Sequence, residues 1–373
     1  MTEGAQVHPA NIGSGQRFKL RVSAIVWFVL AVGFLLSLPV LIDVSWLVLL
    51  AVAVIAIVLA VPGAWIVRAV FRGQRLQSWL ASLAKAFLAL LFFLGIAAAA
   101  PVFYYGLQTA LNPLTVPQVT LSNGDKTVVF QGMSHVGSEL FYKSVVYDLE
   151  QALVDGYVLY YEGVIGSPEG DAWFSRTLAG GGDLNTSYQM ISSLCGLKFQ
   201  LDYFGLLASD MAARPDRHIN ADVTTADMMH EYDRLMQSDP AFAAAEQPAS
   251  TTAETATEAP ESGAGLTGII GWLQNGSPEL RSIAGTVCRG FMTATLNADA
   301  VPDQMDKVIL DFRNRALAER IGKDSHELIY ITYGAGHFPG LLADLQAADP
   351  AWEVQSLKWM RTIAAPEELD GKL

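Results

Sequence analysis

The chain has 373 residues, of which 51% are hydrophobic, and it carries a formal net charge of −13. The hydrophobic residues are concentrated before residue 110 and the acidic residues after it, so we expect a membrane region followed by one acidic soluble domain. This acidic balance excludes a nucleic-acid partner, because binding to phosphate backbones requires clustered lysine and arginine.

A membrane region is predicted over residues 22–110, after an N-terminal tail of residues 1–21. It contains three uncharged apolar segments, residues 22–42, 44–66 and 86–107. Each segment is about as long as an α-helix needs to be to cross the hydrocarbon core. The sequence therefore predicts a multi-pass integral protein of the plasma or inner membrane, anchored in the lipid bilayer by about three helices.

Basic residues predict the orientation of this anchor. They precede the first segment and separate the second from the third: Arg17, Lys19, Arg21, Arg68, Arg72, Arg75 and Lys85. Positive-inside reasoning places the tail and the second connection in the cytoplasm, so the third helix delivers the soluble domain to the other side. A disulfide between Cys195 and Cys288 is possible there, although two separate buried thiols fit the sequence as well.

The soluble domain, residues 112–365, begins with a predicted βαβ unit. Apolar and polar residues alternate from Val116 to Gly132 around Asn123-Gly124, which is typical of a hairpin. An amphipathic helix from Ser138 to Asp155 follows, and then a buried strand from Tyr157 to Tyr161. This order of elements indicates an α/β domain.

The rest of the domain is predicted to continue with helices and strands around one insertion. Residues 238–265 are rich in Ala, Ser, Thr, Glu and Pro, so we predict that they form a disordered insertion. The other predicted elements are helices over 184–210, 225–236, 303–321 and 338–347, and strands over 328–333 and 354–359.

Three candidate ligands of a metal directly follow predicted strands. His135 and His337 each end a Gly-x-x-His motif, Gly132 to His135 and Gly334 to His337, and Glu162 ends the buried strand. Ligands of α/β proteins bind beyond the carboxyl ends of the strands, and two imidazoles with one carboxylate can hold a divalent ion that keeps a site for water. The sequence therefore predicts a metal site at His135, Glu162 and His337, with the general base as an alternative role for Glu162.

A cation lies on the apolar stripe of a predicted helix. Arg313 lies between Ile309 and Leu317 at helical spacing, so it either extends to the surface or binds a carboxylate, such as Glu162 or that of a substrate. Asn314 is adjacent and could orient a ligand.

Signatures of other catalytic classes are absent from the sequence. His230 and His326 each precede a glutamate but lack the second histidine of an H-E-x-x-H zinc helix, and there is no G-x-S-x-G elbow, P-loop or dinucleotide fingerprint. His218 and Asp222 flank a possible strand end and are reserve candidates for the site.

Taken in order, these motifs resemble the TraB/GumN/Tiki family over about residues 116–360. One departure is Gly-Met-Ser-His at residues 132–135, where relatives often have Gly-Thr-Ala-His. The resemblance implies an erythromycin-esterase/ChaN-like α/β fold, with His135, Glu162 and His337 as metal or catalytic residues and Arg313 and Asn314 in support. It also implies manganese or cobalt as the ion, and zinc fits the same ligands.

These observations predict a membrane-tethered, metal-dependent hydrolase with its catalytic domain outside the cytoplasm. The resemblance favours a peptidase, whose substrate is a peptide or protein. The alternative is a non-enzymatic regulatory module that binds a peptide or haem in the same cleft. A purely structural membrane protein would require the placement of the histidines and the glutamate to be accidental.

Overall fold

The computed structural model describes residues 14–42, 46–70, 79–178, 184–246, 275–297 and 303–364. The chain divides into two compact units. Residues 1–104 and 277–283 form the first unit, and residues 105–276 and 284–373 form the second.

Three long apolar helices account for most of the described residues of the first unit. They are α1 (Ser14–Ile42), α2 (Trp46–Val70) and α3 (Trp79–Leu111), the last of which runs on into the second unit. Among the described residues, Leu49–Ile66 and Ser82–Leu111 are long and apolar enough to cross a membrane, whereas the apolar stretch in α1, Arg21–Leu30, is shorter. Two candidate spans are thus present, and a third span remains a prediction.

The second unit is built on a six-stranded mixed sheet. Its strands are β1 (Leu114–Ser122), β2 (Thr127–Met133), β4 (Val158–Tyr161), β6 (His218–Asn220), β7 (Leu328–Gly334) and β8 (Glu353–Ile363), in the order β6-β4-β7-β2-β1-β8. β2, β7, β4 and β6 are parallel, whereas β1 is antiparallel to both β2 and β8. A separate antiparallel pair joins β3 (Val136–Gly137) to β5 (Lys198–Phe199).

The described part of the chain beyond residue 111 also contains ten α-helices. They are α4 (Glu139–Val154), α5 (Asp171–Thr177), α6 (Leu184–Cys195), α7 (Gln200–Phe204), α8 (Ala208–Ala213), α9 (Thr225–Ser238), α10 (Pro240–Glu246), α11 (Pro278–Leu296), α12 (Arg313–Lys323) and α13 (Phe338–Ala348).

Apolar side chains cover both faces of the sheet. One core joins strand residues such as Phe130 and Ile331 to Leu317 of α12 and Leu341 of α13. The other core joins Met133, Leu159 and Tyr330 to α4, and is lined on the α4 side by Phe141, Tyr142, Val145 and Leu149. Because a parallel sheet must be covered on both faces, this arrangement confirms the predicted α/β class.

The hairpin predicted at Asn123-Gly124 is confirmed. Gly124 has a φ of 96°, a conformation that glycine adopts without a steric penalty, and the Asn123 side chain accepts hydrogen bonds from the backbone of Asp125 and Lys126. β1 and β2 pair in the register that this turn sets, with Ser122 opposite Thr127.

The prediction of a disordered insertion over 238–265 is wrong for its first residues. Residues 240–246 form α10, and Phe242 is completely buried in a cluster with Met228, Leu235 and Val308. The buried Phe242 ring and the Asp239 side chain, which accepts from the N–H groups of Ala241 and Phe242, hold this helix in place, and composition alone did not indicate either contact. The part of the prediction beyond residue 246 lies outside the described residues.

Two helices predicted as continuous are interrupted. The pattern over 184–210 is broken after Cys195, where Gly196 has a φ of 61° and β5 follows. The pattern over 303–321 contains a π-helical segment, Lys307–Phe312, directly before α12. A π-helical turn is frequent at functional sites, and the spacing of apolar residues does not reveal it.

The two cysteines form a disulfide. Cys195 at the end of α6 is bonded to Cys288 in α11, with their Cα atoms 5.0 Å apart. The Arg289 guanidinium reinforces this junction, because its Nε donates a hydrogen bond of 2.7 Å to the Cys195 carbonyl. The alternative of two separate thiols, which the sequence left open, is therefore wrong.

Candidate functional site

The candidate residues lie at one edge of the central sheet. β2, β7, β4 and β6 run parallel, and His135, His337, Glu162 and Asp222 each follow the carboxyl end of one of them within a few residues. Parallel strands direct the segments that follow them to the same edge. The strand order therefore brings together residues that are up to about 200 positions apart in the sequence.

Arg313 is the centre of a buried charged cluster. Its side chain is 6% exposed. Nε and Nη2 donate to the two oxygens of Asp222 at 2.9 and 2.6 Å, and Nη2 also donates to Glu162 Oε1 at 2.7 Å. Nη1 lies 3.3 Å from the carbonyl of Ile309, in the π-helical segment. The cation predicted to need a partner thus binds two carboxylates.

Asp222, only a reserve candidate in the sequence, is a central residue of this cluster. Its side chain is completely inaccessible to solvent, and besides Arg313 it accepts hydrogen bonds from the backbone N–H groups of Gly163 and Val223 at 3.0 and 2.9 Å. Its position near a strand end made it only a reserve candidate. The other reserve candidate, His218, lies outside the cluster, with Nε2 2.6 Å from Asp210.

Glu162 is held as a permanent carboxylate. Oε1 accepts from Arg313, and Oε2 accepts from the backbone N–H of Gly334. Burial raises the pKa of Glu162, but His337 and Arg313 outweigh this effect and hold the pKa below its ordinary value. A carboxylate with a depressed pKa is a weak base, so the alternative role of Glu162 as general base is not supported by this environment.

His337 contacts three polar neighbours, and its side chain is 3% exposed. Nδ1 is 2.7 Å from Asn314 Oδ1, and Nε2 is 3.3 Å from Arg313 Nη1 and 3.6 Å from Glu162 Oε1. Because an amide oxygen only accepts, Nδ1 carries a proton and donates it to Asn314. His337 is therefore a supporting residue of the cluster.

His135 differs from the other site residues because it is exposed to solvent. Its ring stacks on Tyr188 with the ring centroids 4.4 Å apart, and Nδ1 is 3.0 Å from the side-chain amide of Gln200. Although the residue is exposed, the protein around its ring, including the stacked Tyr188, partly desolvates the imidazole, and this lowers the pKa of His135. The Glu162 carboxylate opposes this shift, and Arg313 lowers the pKa further. The imidazole is therefore neutral at pH 7, and Glu162 is the charge that favours its protonated form.

The donor set does not fit a shared divalent ion as it is placed. Among the described residues, no three His, Cys, Asp or Glu side chains are positioned to hold a metal. Both oxygens of Glu162 accept hydrogen bonds, and Arg313, itself a cation, contacts both Glu162 and His337 Nε2. The metal-ligand roles of His135, Glu162 and His337 therefore stay a prediction.

Comparison of the chain with protein-family models, with curated proteins and with solved structures gave no match. The resemblance to the TraB/GumN/Tiki family thus rests on the short motifs alone.

Proposed function

We propose that the second unit is a hydrolase of peptides, tethered to a membrane by the N-terminal helices and acting outside the cytoplasm. The observation that carries this proposal is the buried cluster of Arg313, Glu162 and Asp222 beside the exposed, neutral His135. Burying charges is unfavourable unless they are paired and hydrogen-bonded, so clusters of this kind are typical of sites that need fixed charges.

His135 is the general base of the proposed reaction. A neutral imidazole at pH 7 can take a proton from water as the water oxygen attacks the carbonyl carbon, and the imidazolium then gives this proton to the amine nitrogen as the C–N bond breaks. The amide nitrogen of Gln200, Nε2, lies 3.0 Å from Nδ1 and can only donate, so this contact places the proton of the neutral ring on its own Nε2. The proposed role requires the proton on Nδ1, and therefore a Gln200 amide that is turned so that its oxygen accepts from Nδ1. Nε2 is then the proton acceptor.

Glu162 is the fixed negative charge that stabilises the imidazolium formed by this proton transfer. Arg313 and the Gly334 N–H keep the carboxylate ionised and in place, and Asp222 keeps Arg313 in place. This division of labour corresponds to that of the histidine and the carboxylate in hydrolytic triads. Asn314 and His337 complete the support for Arg313.

The membrane topology and the finer fold belong to the same proposal. A disulfide is stable in oxidising compartments, so the bond between Cys195 and Cys288 supports an extracytoplasmic domain and the predicted orientation of the helices. The parallel strands with site residues at their carboxyl ends support the erythromycin-esterase/ChaN-like fold that the resemblance implies.

The test is peptide hydrolysis by the full-length protein in detergent, with a mixed fluorogenic peptide library as substrate. Wild type is compared with His135→Ala and with the matched control His230→Ala, which changes an exposed histidine that pairs with Glu169 at 3.3 Å. We expect turnover by the wild type and the control, and at least a hundredfold loss in His135→Ala, the order expected for a general base.

A metal series separates this proposal from the metal-dependent form of the prediction. Each protein is assayed after chelation and after addition of manganese, cobalt or zinc, and its metal content is measured by mass spectrometry. Turnover that survives chelation supports the proposal. Turnover that requires one ion, with near-stoichiometric metal lost in both His135→Ala and His337→Ala, would favour the metal-dependent hydrolase.

A binding module is the second candidate, because an exposed histidine stacked on Tyr188 can also contact a bound peptide or haem. No hydrolysis under any condition, together with a haem absorption band or a retained peptide that is lost in His135→Ala, would replace the hydrolase with this function.

A further inference from the structure

β8 is a long edge strand of the central sheet. It pairs with β1 on one side, and residues 353–359 are all exposed. On its outer side the carbonyl of Thr362 accepts a hydrogen bond from the Ser138 N–H at 2.7 Å. No strand in the described part of the chain pairs with the outer edge of residues 353–361. The main chain of this segment is therefore available to another strand.

The apolar side chains of this edge lie on one face. Val354, Leu357 and Trp359 are 47%, 51% and 60% exposed. In the β1–β8 pair, Val354 lies opposite Leu121 and Leu357 lies opposite Val119. A register shift separates these two pairs, so both apolar residues of β8 face the same side although they are three positions apart. Residues that lie opposite each other on paired strands share a face of the sheet. Leu121 and Val119 are completely buried in the core formed with α13. The apolar face of the sheet thus continues beyond its covered part.

The charges of β8 are complementary to those of a second β8 in antiparallel orientation. Glu353 lies opposite Ser122 and Lys358 opposite Gln118, so both charges are on the face away from the apolar one. Placing Glu353 of one copy opposite Lys358 of another also places Val354 opposite Leu357. One register therefore satisfies the charges on one face and the apolar side chains on the other.

We propose that β8 pairs antiparallel with β8 of a second copy of this chain, so that one sheet continues through a twofold-symmetric dimer. A lysine on an edge strand usually discourages such pairing, but in this register Lys358 faces Glu353. Its contact within the chain, with Asp148 Oδ2 at 3.9 Å, is loose, and its side chain is 61% exposed. The symmetry repeats each contact twice.

The test is a charge-reversal cycle on the full-length protein in detergent. Light scattering coupled to size exclusion gives the protein mass, 40.3 kDa for one copy. We expect a wild-type dimer, and about tenfold weaker association for Glu353→Lys and for Lys358→Glu, since each reversal places like charges opposite each other at two positions. The double variant Glu353→Lys/Lys358→Glu should restore the dimer.

The matched control is Glu319→Lys, which reverses an exposed charge whose partner Lys323 is on the same helix, and its mass should equal that of the wild type. Circular dichroism checks the fold of each variant. A monomeric wild type, or a dimer that neither single reversal weakens, would overturn the proposal.

Hydrogen exchange supplies a second readout that does not depend on the variants. The amides of residues 353–359 should become protected as the wild-type concentration rises. Protection that is the same at every concentration would assign the edge to another occupant, such as a segment of the same chain or the detergent surface, and would also overturn the dimer.

Discussion

Replacing Arg313 with methionine removes the one cation that binds both buried carboxylates of the site. The Asp222 side chain is 0% exposed and that of Glu162 is 22% exposed, so neither is well hydrated once the guanidinium is gone. Breaking a buried ion pair from one side costs about 3–5 kcal/mol, a large part of the roughly 5–15 kcal/mol that stabilises a typical domain. We expect the free energy of unfolding to fall by about this amount at pH 7.5.

The matched control is Arg315→Met, two residues further along the same helix. Arg315 is 52% exposed and donates to Glu231 at 3.0 Å, so its loss should cost less than about 1 kcal/mol. The assay is urea unfolding of the full-length protein in detergent, followed by the fluorescence of its aromatic residues. Equal losses in the two variants would refute the reasoning that the Arg313 cluster is held together by buried charge.

The deficit of Arg313→Met should also depend on pH. The unpaired carboxyl groups can take up protons in the folded variant, so the deficit should shrink as the pH falls from 7.5 towards 5. Combining Arg313→Met with Asp222→Asn removes one of the stranded charges and should restore part of the lost stability. A deficit that grows on acidification would contradict this account.

Three further predictions concern the base, the support of the site and the disulfide. Because burial lowers the pKa of His135 below 6.5, kcat/KM for peptide hydrolysis should be constant above pH 7 and fall tenfold per pH unit once the pH is below that pKa; a profile that rises on acidification would exclude a neutral base. Gly340→Ala would place a Cβ 2.3 Å from Asn314 Nδ2 and disturb the hydrogen bond to His337, so it should cost about 1–3 kcal/mol in urea unfolding, whereas Gly322→Ala, with no heavy atom within 4 Å, should be neutral or stabilising. Thiol titration of the unfolded, unreduced protein should find no free thiol and should find two after reduction, and two before reduction would show that the disulfide is absent.

Short sequence patterns were enough to predict one turn and several strands of the sheet. The Asn123-Gly124 turn, the strand before Glu162 and the strand before the second Gly-x-x-His motif were readable because turn residues and apolar alternation act over a few positions. These inferences required no knowledge of the strand order. For Arg313 the apolar stripe left two roles open, extension to the surface or binding of a carboxylate, and the structure shows the second.

Which carboxylates bind Arg313 could be known only from the order of the strands in the sheet. Asp222 reaches Arg313 because β6 lies beside β4, and a short strand of three residues gives almost no signal in the sequence. The position of the His135 ring has a similar origin, because Tyr188 and Gln200, which hold the ring, come from α6 and α7. Packing between distant segments decided which side chains meet.

The central pairing of the sheet has a kinetic consequence. β2 is parallel to β7, and Thr127 pairs with Leu328, which is synthesised about 200 residues later. The hydrogen bonds between these two strands cannot form before then. At a synthesis rate of roughly 5–20 residues per second, that interval lasts about 10–40 s. Until β7 emerges, the hairpin of β1 and β2 has no neighbour on that side. The central parallel pairing of this domain therefore forms late, after most of the chain has been synthesised.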